Sequence, residues 1–287
     1  MNNRPIGIFD SGVGGLTVVK EIMKALPNER IVYLGDTARV PYGTKSDQTI
    51  KRFSVENTKF LKKFKVKLIV VACNTASSIA LPVLRKRFNV PIVGVIRPGA
   101  RKAVKVTRNG RIGVIGTPTT IKSKAYEKEI RSISNNKVVS ATCPLFVPLA
   151  EEGWLNGNIT LDIVKKYLTP LKRKNIDTLV LGCTHYPLLR GVISKVTGRN
   201  VKIVDSASSV AEEVAKILQK SGKLSSASKK PTHSFFATDA VEQFVKVGGK
   251  FLGKKIEKVR KVILNEIASA DFVSLAMTYG VNICMRF

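Results

Sequence analysis

Two cysteines occupy matching places in this chain. Cys73 and Cys183 each follow a short apolar run and precede polar residues able to open a helix, in KLIVVACNTASS and DTLVLGCTHYP. Ligands of open α/β sheets sit beyond the carboxyl ends of the strands, so both thiols fall where a substrate would lie. The exposed N–H groups of a first helical turn favour a bound anion such as a carboxylate. The same field is expected to lower a thiol pKa from about 8.5 and populate the thiolate. A single cysteine is more often simply packed away; it is the pair that points to chemistry. Two opposed thiols suit inversion at a carbon acid. One thiolate removes the α-proton from one face, the other thiol returns a proton to the opposite face, and reverse turnover exchanges the roles. So weakly acidic a proton demands a preorganised site, a firmly held carboxylate and little water.

The neighbours of the thiols extend this reading. Asp10, at the end of IGIFD, is placed to poise Cys73, and His185, two residues beyond Cys183, to poise Cys183, since imidazole titrates in the relevant range. Plain alternatives exist: Asp10 as a helix N-cap, His185 as a loop residue bonded to backbone. Asn74, Thr75 and Thr184 offer amide and hydroxyl groups beside the thiols. Gly12-Val13-Gly14-Gly15 lacks the dinucleotide spacing and has no Gly-Lys-Ser/Thr, so it is read as a tight turn allowing close backbone approach. Cys143, before Pro144, is expected to be packing; Trp154 is open between a lid and a packing anchor. With two histidines and no C-x-x-C pair, no metal is expected.

The elements that must position these groups alternate. Continuous apolar runs at Ile6–Phe9, Ile31–Leu34, Leu68–Ala72, Ile92–Ile96, Ile112–Ile115, Val138–Ala141, Thr178–Leu181 and Val201–Val204 read as buried parallel strands. Helical patterns such as Leu16–Ala25, Ser46–Phe64, Ser123–Ile130 and Ile159–Lys174 lie between them, giving an α/β fold. Residues 1–97 and 111–207 read as two copies of one unit: Asp10 ends a strand 63 residues before Cys73, and Thr117 ends a similar one 66 before Cys183. The expectation is two similar, pseudo-symmetric α/β domains with mainly parallel sheets and the site in the cleft between them. Residues 1–97 with 208–287 would form the first and 98–207 the second. Residues 208–265 are expected to be mostly helical, with Ser221–Lys230 a polar loop.

Composition narrows the class. No run of about eighteen uncharged apolar residues suggests a membrane span, and MNNRPIGIFD has no secretory pattern; cytoplasmic location is the expectation. Four scattered cysteines suit a thiol enzyme better than a disulfide framework. The net charge of +29, from 49 Lys+Arg against 20 Asp+Glu, raises nucleic acid as a partner. Yet the cations are scattered and mostly lysine, and the densest run, Lys62-Lys63-Phe64-Lys65-Val66-Lys67, reads as a solvated helix end. Weak, salt-sensitive association with polyanions is expected either way.

The blocks IGIFDSGVGGLTVVKEI, YLGDTARVPYGTKS, VACNTASS, IGVIGT, CPLFVPLAEEG, LVLGCTHYPLL and VDSA run from Ile6 to Ala207. In this order they resemble the bacterial glutamate racemases of the aspartate/glutamate racemase superfamily; FLGKKIEKV, Phe251 to Val259, is similar to the family's C-terminal block. The resemblance implies that Cys73 and Cys183 are catalytic thiols, one for each enantiomer of glutamate. It makes Asp10 and His185 their auxiliaries and Glu152 a further carboxylate on the Cys183 side. It implies substrate binding by Asp10, Ser11, Tyr42, Gly43, Asn74, Thr75, Thr184 and His185. It further implies D-glutamate supply for peptidoglycan, no pyridoxal phosphate or metal cofactor, and a homodimer. Some members affect DNA gyrase, so a gyrase-related partner stays open. Two features depart from the family: the high charge, and a tail, VILNEIASADFVSLAMTYGVNICMRF, beyond the usual end. Aspartate as substrate, a thiol hydrolase on Cys183 and His185, and a basic binding module are the competing readings.

Overall fold

The structure, a computed structural model, describes residues 3–227 and 231–264. The tail from residue 265 on, with Cys284, and the last three residues of the 221–230 loop lie outside the described residues.

Ten strands and eleven helices are formed among the described residues. In the first half, β1 (Ile6–Asp10), β2 (Ile31–Gly35), β3 (Leu68–Val71) and β4 (Ile92–Gly94) alternate with α1 (Leu16–Ala25), α2 (Asp47–Lys62), α3 (Asn74–Arg87) and α4 (Ile96–Val106). In the second, β5 (Arg111–Gly116), β6 (Lys137–Thr142), β7 (Thr178–Gly182) and β8 (Lys202–Asp205) are accompanied by α5 (Pro118–Lys122), α6 (Ala125–Ile133), α7 (Phe146–Glu152), α8 (Asn158–Lys172) and α9 (Arg190–Thr197). The chain then adds α10 (Ser206–Lys220), β9 (Ser234–Ala237), α11 (Val241–Leu252) and β10 (Val259–Lys261).

All strands pair in parallel, in two sheets. The first has the order β10-β9-β2-β1-β3-β4 and the second β6-β5-β7-β8. The core of the first, β2-β1-β3-β4, is thus repeated strand for strand in the second. The two-unit α/β reading holds, and Cys73 and Cys183 follow the third strand of their units. β1, β2, β3 and β7 are buried along their whole length, which is why they appear as unbroken apolar runs: helices cover both faces and no alternation survives. Ile6 and Ile8 pack with α1 on one face, while Phe9 packs with Phe53 and Leu61 of α2 on the other.

The expectation for residues 208–265 needs correction. Besides α10 and α11 this stretch supplies β9 and β10, which extend the first sheet beyond β2, with Val32 opposite Ser234 and Leu34 opposite Phe236. The strands are four and three residues long, too short for a periodicity to register. They are held by the aromatic cluster of Phe60, Phe64 and Phe236, whose ring centroids lie 5.2–5.3 Å apart.

The basic run 62–67 also differs from the expected solvated helix end. Lys62, Lys63 and Lys65 are exposed, but Lys67 is buried, its ammonium 2.6 Å from Glu29 and donating to the Lys223 carbonyl at 2.7 Å. Glu29 also accepts from the Ser225 N–H at 2.8 Å. A buried charge persists only when paired and hydrogen-bonded, and this pair ties the segment after α10 to the start of β3. No helix among the described residues is long and apolar enough to cross a membrane.

Candidate active site

Cys73 ends the β3 connection and caps α3: its sulfur accepts from the Ala76 N–H at 3.5 Å and lies 3.7 Å from Ser11 Oγ. The thiol is only 5% exposed. Burial pushes its pKa up to about 12, and the Asp10 carboxylate adds to the rise, against smaller opposing contributions from the Ala76 N–H and Ser11. The expected lowering by a helix N-terminus is therefore overturned at Cys73. The desolvation of a buried anion outweighs one N–H contact.

Cys183 follows β7 with a different connection. A short 3-10 turn, Tyr186–Leu189, with Pro187 near its start, intervenes before α9, so the expected helix start directly behind the thiol is absent there. A side chain takes that place. Cys183 Sγ is 3.8 Å from His185 Nδ1, and His185 Nε2 is 2.8 Å from Glu151 Oε1. Burial opposes the charged imidazole, but the hydrogen bonds and charges of Cys183 and Glu151 prevail and raise its pKa to about 10. Phe251 closes the other side of the ring, edge to face at 5.2 Å.

Asp10 lies between the two thiols' surroundings. It is fully buried, accepts from the Gly12 N–H at 3.0 Å and from Thr184 Oγ1 at 3.4 Å. Burial raises its pKa, with the His185 charge and the Gly12, Gly15 and Thr184 hydrogen bonds pulling the other way. Asp10 does not cap α1; the residue before that helix is Gly15, without a side-chain cap. The glycine turn has the expected close-approach role. A Cβ on Gly14 would lie 2.4 Å from Thr184 Oγ1 and 2.5 Å from His185 Nδ1.

The remaining expected residues gather on the Cys73 side, with second-unit groups among them. Thr75 Oγ1 is 2.9 Å from Thr117 Oγ1 and 3.1 Å from Thr120 Oγ1. Asn74 Oδ1 accepts from the Tyr126 hydroxyl at 2.7 Å. The Gly43 carbonyl accepts from Thr119 at 2.8 Å, and a Cβ on Gly43 would sit 2.6 Å from Thr117. Tyr42 is buried, its hydroxyl donating to Asp36 and accepting from Asn57 Nδ2 at 3.0 Å, so that phenol is committed inside the first unit.

Glu152 is the exception among the expected residues: it is exposed, and its neighbour Glu151 carries the carboxylate to His185. The last turn of α7 points successive side chains about 100° apart, so only one of the pair can face the ring. Thr117, Thr120 and Tyr126 were not anticipated as site residues. Thr117 had a signal, as the counterpart of Asp10 at the end of the matching strand. Cys143 is buried in the second unit's core as expected, and Trp154 is 54% exposed. Among the described residues no group of three or more His, Cys, Asp or Glu is arranged to hold a metal ion.

The model of the Asp/Glu/Hydantoin racemase family matches residues 6–214. The chain is 53% identical to the glutamate racemase of Geobacter metallireducens over 91% of its own length and 97% of the relative's. The crystal structure of a Bacillus anthracis glutamate racemase isoform superposes with a TM-score of 0.89 at 44% identity, covering 92% of this chain and 99% of that one. A Francisella tularensis glutamate racemase in complex with D-glutamate gives a TM-score of 0.87 at 40% identity, with the same coverage. On this evidence the chain belongs to the Asp/Glu/hydantoin racemase family.

Proposed function

We propose that this chain is a cofactor-independent glutamate racemase that interconverts L- and D-glutamate between Cys73 and Cys183. The observation that carries the reading is the equivalence of the two thiols: each follows the third strand of a unit with the same strand order, and each has its own polar partner, Ser11 for one and His185 for the other. In each turnover the Cα–H bond breaks, its proton passes to one sulfur, and the electron pair left on Cα delocalises into the adjacent carboxylate. The opposite thiol then gives its proton to the other face.

His185 and Glu151 are assigned the proton relay of the Cys183 side. The carboxylate role expected of Glu152 passes to Glu151, which stands 2.8 Å from the imidazole. Asp10 is assigned the tuning of both thiols, since its carboxyl interacts electrostatically with Cys73 and with His185. Ser11, Gly43, Asn74, Thr75 and Thr184 are assigned substrate contacts; Tyr42 supplies the loop that carries Gly43.

The same reading takes residues 1–97 with 208–287 as one domain and 98–207 as the other. It places the enzyme as a homodimer in the cytoplasm, making D-glutamate for peptidoglycan, without metal or pyridoxal phosphate. Relatives at 40–53% identity named glutamate racemase support glutamate over aspartate. A panel of L-glutamate, L-aspartate and L-glutamine, followed by chiral chromatography, tests the choice. D-glutamate as the dominant product is expected; faster formation of D-aspartate would overturn it.

A further inference from the structure

Asn74, the residue after Cys73, has an amide with one satisfied end. Its Oδ1 accepts from the Tyr126 hydroxyl at 2.7 Å, whereas its Nδ2 is buried and has no hydrogen-bond partner. Buried amide donors are rarely left unpaired, because the desolvation is uncompensated. An N–H pair kept free one residue from a thiol therefore waits for an acceptor that arrives with a ligand. In a site for amino acids that acceptor is a carboxylate oxygen.

What holds the amide in this sense comes from the other unit. Tyr126 is the second residue of α6, and its ring is rooted in the second unit's core beside Val114 and Val180. Two glycines make the slot for it: a Cβ on Gly99 would lie 3.3 Å from the ring and hydroxyl, and one on Gly182 would lie 3.2 Å from the ring. Ser206 also borders that slot, its Cβ 3.4 Å from where a Cβ on Gly99 would stand, and burial holds the phenol's pKa well above the ordinary tyrosine range. The phenol thus stays an O–H donor and spends its single proton on Asn74. Rotated by 180°, the amide would present its oxygen to the substrate carboxylate, an acceptor facing an anion.

We propose that Tyr126 is a positioning residue for the racemase reaction: it fixes the Asn74 amide so that Nδ2 faces a carboxylate of the bound amino acid. This rests on the racemase reading above. It makes affinity at the Cys73 side depend on a hydroxyl from the opposite unit that touches no substrate.

Steady-state kinetics of Tyr126→Phe with both enantiomers of glutamate, beside the wild-type enzyme, test it. The variant keeps the ring and removes one hydroxyl. KM is expected to rise about tenfold, the scale of one lost buried hydrogen bond, while kcat stays within about threefold. In an Asn74→Ala background the same substitution is expected to change neither constant. Wild-type activity with KM unchanged in Tyr126→Phe would overturn this inference alone, as would an effect that persists undiminished without Asn74. A wild-type enzyme inert towards glutamate would overturn the racemase reading, and this inference with it.

Discussion

His185 and Glu151 meet at 2.8 Å through Nε2 and Oε1, while the other ring nitrogen of His185 faces Cys183 Sγ at 3.8 Å. A buried imidazole would ordinarily shed its proton. Here a carboxylate on one side and a thiol on the other retain it, so the second thiol has a proton carrier in contact. The first thiol has no imidazole; it has a hydroxyl, a backbone N–H and the nearby Asp10. The two halves match in backbone and differ in proton chemistry.

Removing the carboxylate exposes this difference as a pH effect. The folded His185 titrates at about 10, above its unfolded value of about 6.5. The native state therefore binds the extra proton, and the stability it contributes is fully present below pH ~6.5 and lost as pH rises through ~10. Glu151→Gln should lower the melting temperature most below pH ~7, with the gap from wild type narrowing towards pH 10. It should also reduce kcat about tenfold or more. Thermal melts across pH 6–10 and an imidazole NMR titration check both; a pH-independent gap contradicts the assignment.

Gly14 should tolerate no side chain. The added methyl of Gly14→Ala would fall within 2.5 Å of both Thr184 and His185, displacing the imidazole from the thiol. A shift of about 1 Å in a catalytic group costs on the order of 100-fold in rate. The measurement is kcat alongside circular dichroism: loss of rate with retained secondary structure is expected, and full activity would show that the turn does not set the His185 position.

Lys67→Met should destabilise the protein by about 3–5 kcal/mol, because Glu29 is left buried and uncompensated. Urea unfolding measures this, and pairing the change with Glu29→Leu should recover much of the loss. A single variant as stable as wild type would mean that Glu29 finds other partners.

The fold was legible in the sequence where strands are buried on both faces, since β1, β3, β5 and β7 appear as apolar runs whatever packs on them. Duplication was legible from the spacing of Cys73 and Cys183 to Asp10 and Thr117. β9 and β10 were not, because strands of four and three residues at that end of the sheet owe their existence to partners far along the chain. Within the site, types and places were readable but orientation was not. Nothing in EEG distinguishes Glu151 from Glu152 until α7 is wound against His185. Nor does an N-terminal helix field reveal that burial of Cys73 outweighs it.

The +29 charge predicts binding to duplex DNA that is non-specific and steeply salt-dependent, weakening by orders of magnitude between about 50 and 200 mM salt. It should be unaltered in a Cys73→Ser, Cys183→Ser double variant. Fluorescence anisotropy with labelled duplexes measures it; salt-resistant or thiol-dependent binding would point to a dedicated site.

Proton exchange between two thiols is read out by proton NMR with circular dichroism in deuterated water. L-glutamate incubated with the enzyme, without added cofactor, should lose its α-hydrogen signal and its optical signal together, as should D-glutamate. Cys73→Ser and Cys183→Ser should each slow racemisation about 100-fold or more while keeping the fold. Racemisation without deuterium at the α-carbon, or full activity in either variant, would contradict the account.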